Sequence, residues 1–155
     1  MDSQELARLS LFEGLTPEQL TALALLFRRE TFPVGATIFN QGDRASDLYV
    51  VEAGEVVIRF FPYDGGSLDI ETIRPGGLLG WSAAIGRADY TSAAVCLSAV
   101  QALAIKGRDL RRVMRADKSL RALLSERLAR LLANRLGHFH AQLDKFFDGE
   151  ENAEN

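Results

Sequence analysis

The sequence has few of the residues that build disulfides, metal sites or membrane spans. Cys96 is its single cysteine, which excludes an intramolecular disulfide and a metal site of paired cysteines. No apolar run approaches the roughly 20 residues of a membrane-spanning helix, and residues 1–5 lack the basic start of a secretory signal. The segment 31–105 contains no histidine, which argues against a metal-dependent enzyme site on strands. We therefore expect a cytoplasmic, non-enzymatic protein with no metal and no cofactor.

Charge is distributed unevenly along the 155 residues, although the formal net charge is only −3. Residues 106–145 hold 11 of the 18 lysines and arginines against four acidic residues, a local excess of seven positive charges. The last eight residues, 148–155, contain four acidic residues and no basic one. Such a pattern is more typical of solvated faces than of a nucleic-acid interface. We expect a single domain over residues 1–147 and a disordered acidic tail over 148–155.

A capping motif marks the first helix. Thr16 is followed by Pro17 at the first helical position and by Gln19 at the spacing of a capping box. Apolar residues then recur at positions 20, 23, 24 and 27, which is helical spacing. The pattern predicts a helix over residues 16–29 that ends before Pro33.

The segment 31–105 has the pattern of an antiparallel β-structure. Short runs rich in β-branched and aromatic residues alternate with turns that contain glycine, asparagine or aspartate. The predicted strands are 37–39, 48–51, 56–61, 68–73, 91–97 and 100–105. Their spacing indicates a β-roll, or jelly roll, of about eight strands.

Helical periodicity returns after Lys106 and predicts a short helix over 108–115 and a long one over 117–147. In the long helix, five apolar residues step by four and three, the spacing of a seam between two helices. They are Leu132, Leu136, Phe139, Leu143 and Phe146. We expect a homodimer through this seam, with a helix folded back on its own β-roll as the alternative. The predicted fold class is α+β: an N-terminal helix, an antiparallel β-roll and a C-terminal helix pair.

The segment 77–94 has the layout of a phosphate cradle. The turn Pro75-Gly76-Gly77 leads into it, and the small residues Ser82-Ala83-Ala84 open a short predicted helix. Backbone N–H groups at such a start can face an anion, because no bulky side chain obstructs them. Trp81 and Tyr90 bring no positive charge, so the backbone suits phosphate whereas the side chains do not.

Two motifs in the strand region carry a family resemblance. They are F-P-V-G-A-T-I-F-N-Q-G-D over residues 32–43 and L-Y-V-V-E-A-G-E-V over residues 48–56. With the order of helix, β-roll and two helices, they make residues 10–147 similar to the cyclic-nucleotide-binding domain of the catabolite-activator (Crp/Fnr) superfamily. The resemblance implies a regulatory domain whose β-roll holds a small ligand and whose long helix reports its presence.

The segment 77–94, which we call the ligand cassette, departs from the family pattern at both anchoring positions. In relatives, a Phe-Gly-Glu type triplet supplies a glutamate for the ribose, and a later arginine pairs with the cyclic phosphate. Here the triplet is Leu79-Gly80-Trp81, and Tyr90, placed by the following Thr91-Ser92-Ala93, stands at the arginine position. Because charge-assisted hydrogen bonds contribute about 1.5–3 kcal/mol each, we expect weak binding of cyclic AMP or cyclic GMP, or a different ligand.

The resemblance and the cassette together give the candidate ligand contacts. Trp81 either stacks on a ligand or packs inward and partly fills the pocket, and Tyr90 either donates to a ligand or caps a buried carbonyl. Arg87 either supplies the missing cation or is solvated. By register with relatives, the base-capping positions of the long helix are near Phe139 and His140; Phe139 suits the seam or a hydrophobic lid, and a surface histidine is the alternative for His140. The full candidate set is Leu79, Gly80, Trp81, Ser82, Ala83, Arg87, Tyr90, Thr91, Phe139 and His140.

Two functions from different classes stay open. The first is a small-ligand sensor whose long helix shifts on binding. The second is a ligand-independent dimerisation or docking subunit whose pocket is filled by Trp81 and Tyr90. We expect no DNA-binding module in this chain, because the residues after 147 are too few and too acidic for a helix-turn-helix. Whether the sequence is a fragment of a longer regulator stays open.

Overall fold

The computed structural model describes the backbone of residues 1–154 and their side chains, except those of residues 138–139, 142–143, 146–147 and 149–154. The helices are α1 (Ser3–Ala7), α2 (Pro17–Ala24), α3 (Trp81–Ala84), α4 (Gly107–Ala116) and α5 (Lys118–Glu154), with a 3₁₀ turn at Ser10–Phe12. The strands are β1 (Arg28–Phe32), β2 (Thr37–Phe39), β3 (Asp47–Ala53), β4 (Val56–Phe60), β5 (Leu68–Ile73), β6 (Leu78–Leu79), β7 (Ala93–Cys96) and β8 (Val100–Lys106).

The eight strands form two antiparallel sheets of four. The orders are β1-β8-β3-β6 in one sheet and β2-β7-β4-β5 in the other. In the first sheet Val50 of β3 lies opposite Leu103 of β8, and in the second Ile58 of β4 lies opposite Ala94 of β7. The expected α+β fold, with an eight-stranded β-roll and a long last helix, is confirmed.

The predicted capping box is present at the start of α2. The Thr16 hydroxyl accepts a hydrogen bond from the Gln19 backbone N–H at 3.1 Å, and the Gln19 side chain accepts from the Thr16 N–H at 2.9 Å. Pro17 occupies the first helical position. These contacts satisfy donors that a helix start otherwise leaves free.

The predicted extent of this helix is wrong at its C-terminal end. α2 ends at Ala24 rather than at residue 29, and residues 28–32 form β1 instead. Each β1 residue has an opposite partner on β8, beginning with Arg28 opposite Ala104. Phe27 is buried just before the strand and meets the ring of Phe12 edge-on at 5.6 Å. The hydrogen-bonded pairing of residues 28–32 with β8 and the burial of Phe27 together outweigh the local helix propensity of this segment, because helix propensity is a weak preference.

Alternation along β3 divides the core into two clusters. Leu48 and Val50 pack with the helices, whereas Tyr49 and Val51 pack with the residues of the opposing sheet. Because successive side chains of a strand point to opposite faces, one strand contributes to both clusters.

Helix α5 begins in the helical cluster and continues past the β-roll. Leu120, Leu124 and Leu128 are buried, Leu132 is half-buried, and Leu136 is 68% exposed. The helix extends to Glu154, beyond the end expected at residue 147. The domain limit at 147 and the acidic tail stay predictions. No helix among the described residues is both long and apolar enough to cross a membrane.

Candidate functional site

A glycine forms the sharp connection between β6 and α3. Gly80 has a positive φ of 77°, a left-handed conformation that glycine adopts without a steric penalty. A Cβ at this position would lie 2.6 Å from the backbone oxygen of Asp47 and 3.1 Å from the ring of Tyr90. The absence of a side chain therefore lets the start of α3 approach β3 and Tyr90 closely.

Tyr90 is the central side chain of the cassette. Tyr90 is 5% exposed, and its ring stacks on Phe39 with ring centroids 3.8 Å apart and an interplanar angle of 14°. Phe39 in turn stacks on Tyr49 at 6.1 Å, which extends the aromatic row into the core. The Tyr90 hydroxyl donates to the Asp47 carbonyl at 2.7 Å and accepts from the Asp47 N–H at 3.0 Å. Burial raises the pKa of Tyr90, so its hydroxyl stays neutral and bonded to the backbone.

Little space is left beside Tyr90. The cavity between the ring and α3 is about 10 Å³, room for roughly one water molecule. The Ala83 N–H donates to the Gly80 carbonyl at 3.0 Å, so this amide is already bonded rather than free for an anion. The Ser82 carbonyl accepts from the N–H of Arg87 at 3.0 Å, and Ser82 itself is 2% exposed.

A larger cavity lies next to it, between α3 and α5. Its volume is about 180 Å³, and its walls are mainly apolar, with two hydroxyl groups and one guanidinium. The lining residues are Phe60, Ile70, Trp81, Thr91, Ser92, Leu132, Arg135 and Leu136. Trp81 is half-buried and lines both this cavity and the smaller one. The indole is therefore a wall shared by the two spaces.

Arg135 is a site residue that the sequence did not reveal. Its side chain is only 15% exposed, and its Nε donates to Glu71 Oε2 at 3.2 Å. Its Nη2 donates to the carbonyl oxygen of Leu78 at 2.8 Å. Arginines on a basic helix are usually solvated, and Glu71 lies 64 residues away in β5, so the sequence carries no local sign of this pairing.

The other predicted contacts are spread over several places. Leu79 and Ala83 are fully buried in the core. Arg87 is exposed and lines a different depression, beside Arg44 and Arg111. The His140 side chain is 79% exposed and lies 3.7 Å from a carboxylate one turn later in α5.

Three positions of the predicted seam lie outside the described side chains. They are Phe139, which was also a predicted ligand contact, Leu143 and Phe146. Thr91 lines both spaces next to Trp81. The ligand and seam assignments of all these residues stay predictions.

This architecture defines an eight-stranded β-roll domain with a one-turn helix, α3, after β6 and a long C-terminal helix, α5. The sequence model of the cyclic nucleotide-binding domain family matches residues 29–117, more than half of the chain. The chain therefore belongs to the cyclic nucleotide-binding domain family.

Named relatives and a solved structure agree with this assignment. The chain is 31% identical over 134 residues to the cyclic AMP receptor protein of Thermus thermophilus, a match that covers 86% of this chain and 60% of the relative. It is 32% identical over 131 residues to a CRP-like cAMP-activated global transcriptional regulator of Mycobacterium tuberculosis, covering 84% and 57%. The crystal structure of the Thermus thermophilus catabolite activator protein has a TM-score of 0.71 at 30% identity, covering 88% of this chain and 62% of that one. By name these relatives are regulators, and the chain spans about three fifths of their length.

Proposed function

We propose that this chain senses a small ligand, and that it does not bind a cyclic nucleotide in the way usual for the family. One observation carries the proposal: the ring of Tyr90 is stacked on Phe39 and its hydroxyl is bonded to Asp47. By the register of the sequence, Tyr90 is the residue expected where relatives have the phosphate-pairing arginine. A cyclic phosphate there would meet a neutral ring and a cavity of about 10 Å³. An anion without a paired cation keeps an uncompensated desolvation cost.

The adjoining cavity supports a ligand of a different chemical class. About 180 Å³ is below the roughly 300–1,000 Å³ of typical ligand pockets, and suits a molecule on the order of one ring. Glu71 already compensates the charge of Arg135, so the cavity does not call for an anion. The hydroxyls of Thr91 and Ser92 offer hydrogen bonds to a polar group. The ligand class we infer is neutral, mainly apolar and single-ringed.

The position of the cavity gives binding a route to α5. Leu132, Arg135 and Leu136 form the helix side of the cavity, whereas Trp81 and Phe60 form the β-roll side. A ligand between them contacts both elements and stabilises the helix position in which both contacts are made. Only such differential binding shifts an equilibrium between two helix positions.

Fluorescence of Trp81, the only tryptophan, tests the proposal directly. We expect neutral single-ring compounds to change its emission in a saturable way, and cyclic AMP to leave it unchanged up to millimolar concentration. Ser92→Phe should fill the cavity and abolish the response. Ser125→Phe, the same change at an exposed position of α5, should preserve it. Micromolar cyclic AMP binding by the unaltered chain would contradict the proposal.

The second candidate is a ligand-independent dimerisation or docking subunit. The filled cassette favours it, as does Leu136, an apolar side chain 68% exposed on α5. We expect light scattering to give the mass of a dimer and Leu136→Glu to give a monomer. Leu25→Glu changes a side chain that is 81% exposed next to α2 and should leave the dimer intact. A monomeric unaltered chain would rule this candidate out.

A further inference from the structure

A strongly basic concave surface lies where the loops after β2 and α3 meet the start of α4. It consists of two adjoining depressions of about 370 and 480 Å³ that share Arg44, Ala45 and Arg111. Five cationic side chains line them: Arg44, Arg87, Lys106, Arg108 and Arg111. We call this surface the basic depression. It shares no lining residue with the cavity beside Trp81.

The positive charge of the basic depression is compensated only in part by the described side chains that line it, since two carboxylates face five cations. None of its five cations forms an ion pair there. Two carboxylates, Asp47 and Asp89, line it. Asp47 is already engaged by Arg28, whose Nη2 lies 2.9 Å from Asp47 Oδ1, as a charge contact rather than an aligned hydrogen bond. In a chain of net charge −3, this concentration of like charge is a local feature that a bound anion would relieve.

Backbone hydrogen bonds hold the segments that carry these cations. The N–H of Ala45 donates to the carbonyl of Ala88 at 2.9 Å, which joins the loop of Arg44 to the loop of Arg87. The N–H of Gly107 donates to the carbonyl of Ser46 at 2.8 Å, which joins the start of α4 to the first of these loops. The cations therefore project from a connected frame, so less conformational freedom is lost when they bind a ligand.

The basic depression also contacts the cassette helix. Arg111 Nη1 donates a hydrogen bond to the backbone oxygen of Ala83 in α3. Gly107 packs so closely that a Cβ there would lie 2.2 Å from the same oxygen. A ligand that engages Arg111 therefore acts on a side chain that holds α3 in place.

We propose that the basic depression binds a small molecule carrying two or more phosphate groups. Guanidinium groups pair with phosphate through two parallel hydrogen bonds, and four of the five cations are arginines. The concave shape, with depressions inside the range of about 300–1,000 Å³ for small-molecule sites, favours such a ligand over the extended backbone of a nucleic acid. This site is separate from the one in the proposed function, and either can fail without the other.

Calorimetry of the full chain tests this site with inorganic tripolyphosphate, ATP and inorganic phosphate. We expect one tripolyphosphate per chain and much weaker binding of inorganic phosphate, with affinity falling as salt rises. Comparable binding of ATP and tripolyphosphate would indicate recognition of the phosphates alone, and tighter binding of ATP would add contacts to the nucleoside. Either result supports a polyphosphate site. The heat should be matched by a change in Trp81 emission, transmitted through Arg111 and α3.

Charge reversals locate the binding. Arg44→Glu and Arg108→Glu each change an exposed side chain and should weaken tripolyphosphate binding about tenfold or more, with unchanged melting temperature. Arg121→Glu makes the same change at an exposed position of α5 and should have little effect. Three results would overturn the proposal: no binding of tripolyphosphate or ATP, an equal loss in all three variants, or binding of duplex DNA or an acidic protein in place of the polyphosphates.

Discussion

Replacing Tyr90 with phenylalanine isolates the contribution of one hydroxyl group to the cassette. The ring and its stacking on Phe39 remain, because the two side chains differ only in that oxygen. The hydrogen bonds to the Asp47 carbonyl, at 2.7 Å, and from the Asp47 N–H, at 3.0 Å, are both lost. Asp47 is only partly buried and lines the open depression of about 370 Å³, so water can compensate part of this loss.

The expected loss of stability follows from these two bonds. A protein hydrogen bond contributes about 0.5–1.5 kcal/mol net, and a buried group left without a partner costs about 1–3 kcal/mol. Asp47 is only partly buried, so we expect Tyr90→Phe to lower the free energy of unfolding by about 1–3 kcal/mol. For a chain of this length, each kcal/mol corresponds to about 2–4 °C in melting temperature.

The dependence on pH gives this prediction a second readout. Burial raises the pKa of Tyr90 in the folded state. The stability that the neutral hydroxyl contributes is therefore present below the pKa of an unfolded tyrosine, about 10, and is lost as pH rises above it. We therefore expect the difference between Tyr90→Phe and the unaltered chain to narrow above about pH 10. Urea denaturation at a series of pH values measures it.

A matched control is Tyr63→Phe, because Tyr63 is fully exposed. This variant should change stability by less than about 0.5 kcal/mol. If Tyr90→Phe is as stable as the control, the hydroxyl does not anchor the cassette to Asp47. Tyr90 would then count among the candidate ligand contacts rather than among the core residues.

Three further substitutions, one of them with a matched control, test the fold at α3 and at the start of α5. Gly80→Ala should lower the free energy of unfolding by more than the roughly 1–2 kcal/mol that a left-handed alanine costs, because its Cβ would lie 2.6 Å from a backbone oxygen. The control is Gly35→Ala, where φ is 81° and no atom lies within 4 Å of the added Cβ. Urea denaturation should show that the control loses only the cost of the left-handed conformation. Asp117 accepts a hydrogen bond from the N–H of Leu120, which lowers the pKa of its carboxyl group. The stability that this carboxylate contributes is therefore present above about pH 4 and is lost as pH falls below it. In thermal melts, the melting temperature of Asp117→Asn should fall less between about pH 4 and 2 than that of the unaltered chain. Leu124→Ala, at a position 1% exposed in α5, should lower stability by about 2–5 kcal/mol in chemical denaturation.

The sequence predicted those parts of the fold that local patterns determine. The capping box of Thr16 and Gln19, the strand Leu68–Ile73 and the start of α4 depend on residues close in the chain. Strand β1 was missed because its partner, β8, lies about 70 residues away. The helical spacing of apolar residues continues to position 27, and only the pairing of residues 28–32 with β8 shows that the chain becomes extended after it. Contacts between distant segments, rather than propensities, decided this boundary.

The same division applies to the candidate site. The sequence predicts that Tyr90 occupies the arginine position, from the register of the following Thr91-Ser92-Ala93, and this assignment stays a prediction. It left open which group the hydroxyl meets, because Asp47 is 43 residues away. Arg135 was missed as a site residue for the same reason, and Arg87 lies at the basic depression rather than at the Trp81 cavity. Residue type predicts that the anion anchor is absent, which stays a prediction, whereas the contacts that Tyr90 makes instead are visible only in the tertiary structure.

The two proposed sites share α3, a helix of a single turn. The cavity lies against Trp81 at its first residue, and the basic depression holds its third residue, Ala83, through Arg111. A short helix has few contacts of its own, so its placement depends on the groups that bond to it. If a polyphosphate and a ring-sized ligand favour the same placement of α3, each increases the affinity of the other by the same factor. Titrating the ring-sized ligand with and without tripolyphosphate measures that factor, and a value of one shows that α3 does not couple the two sites.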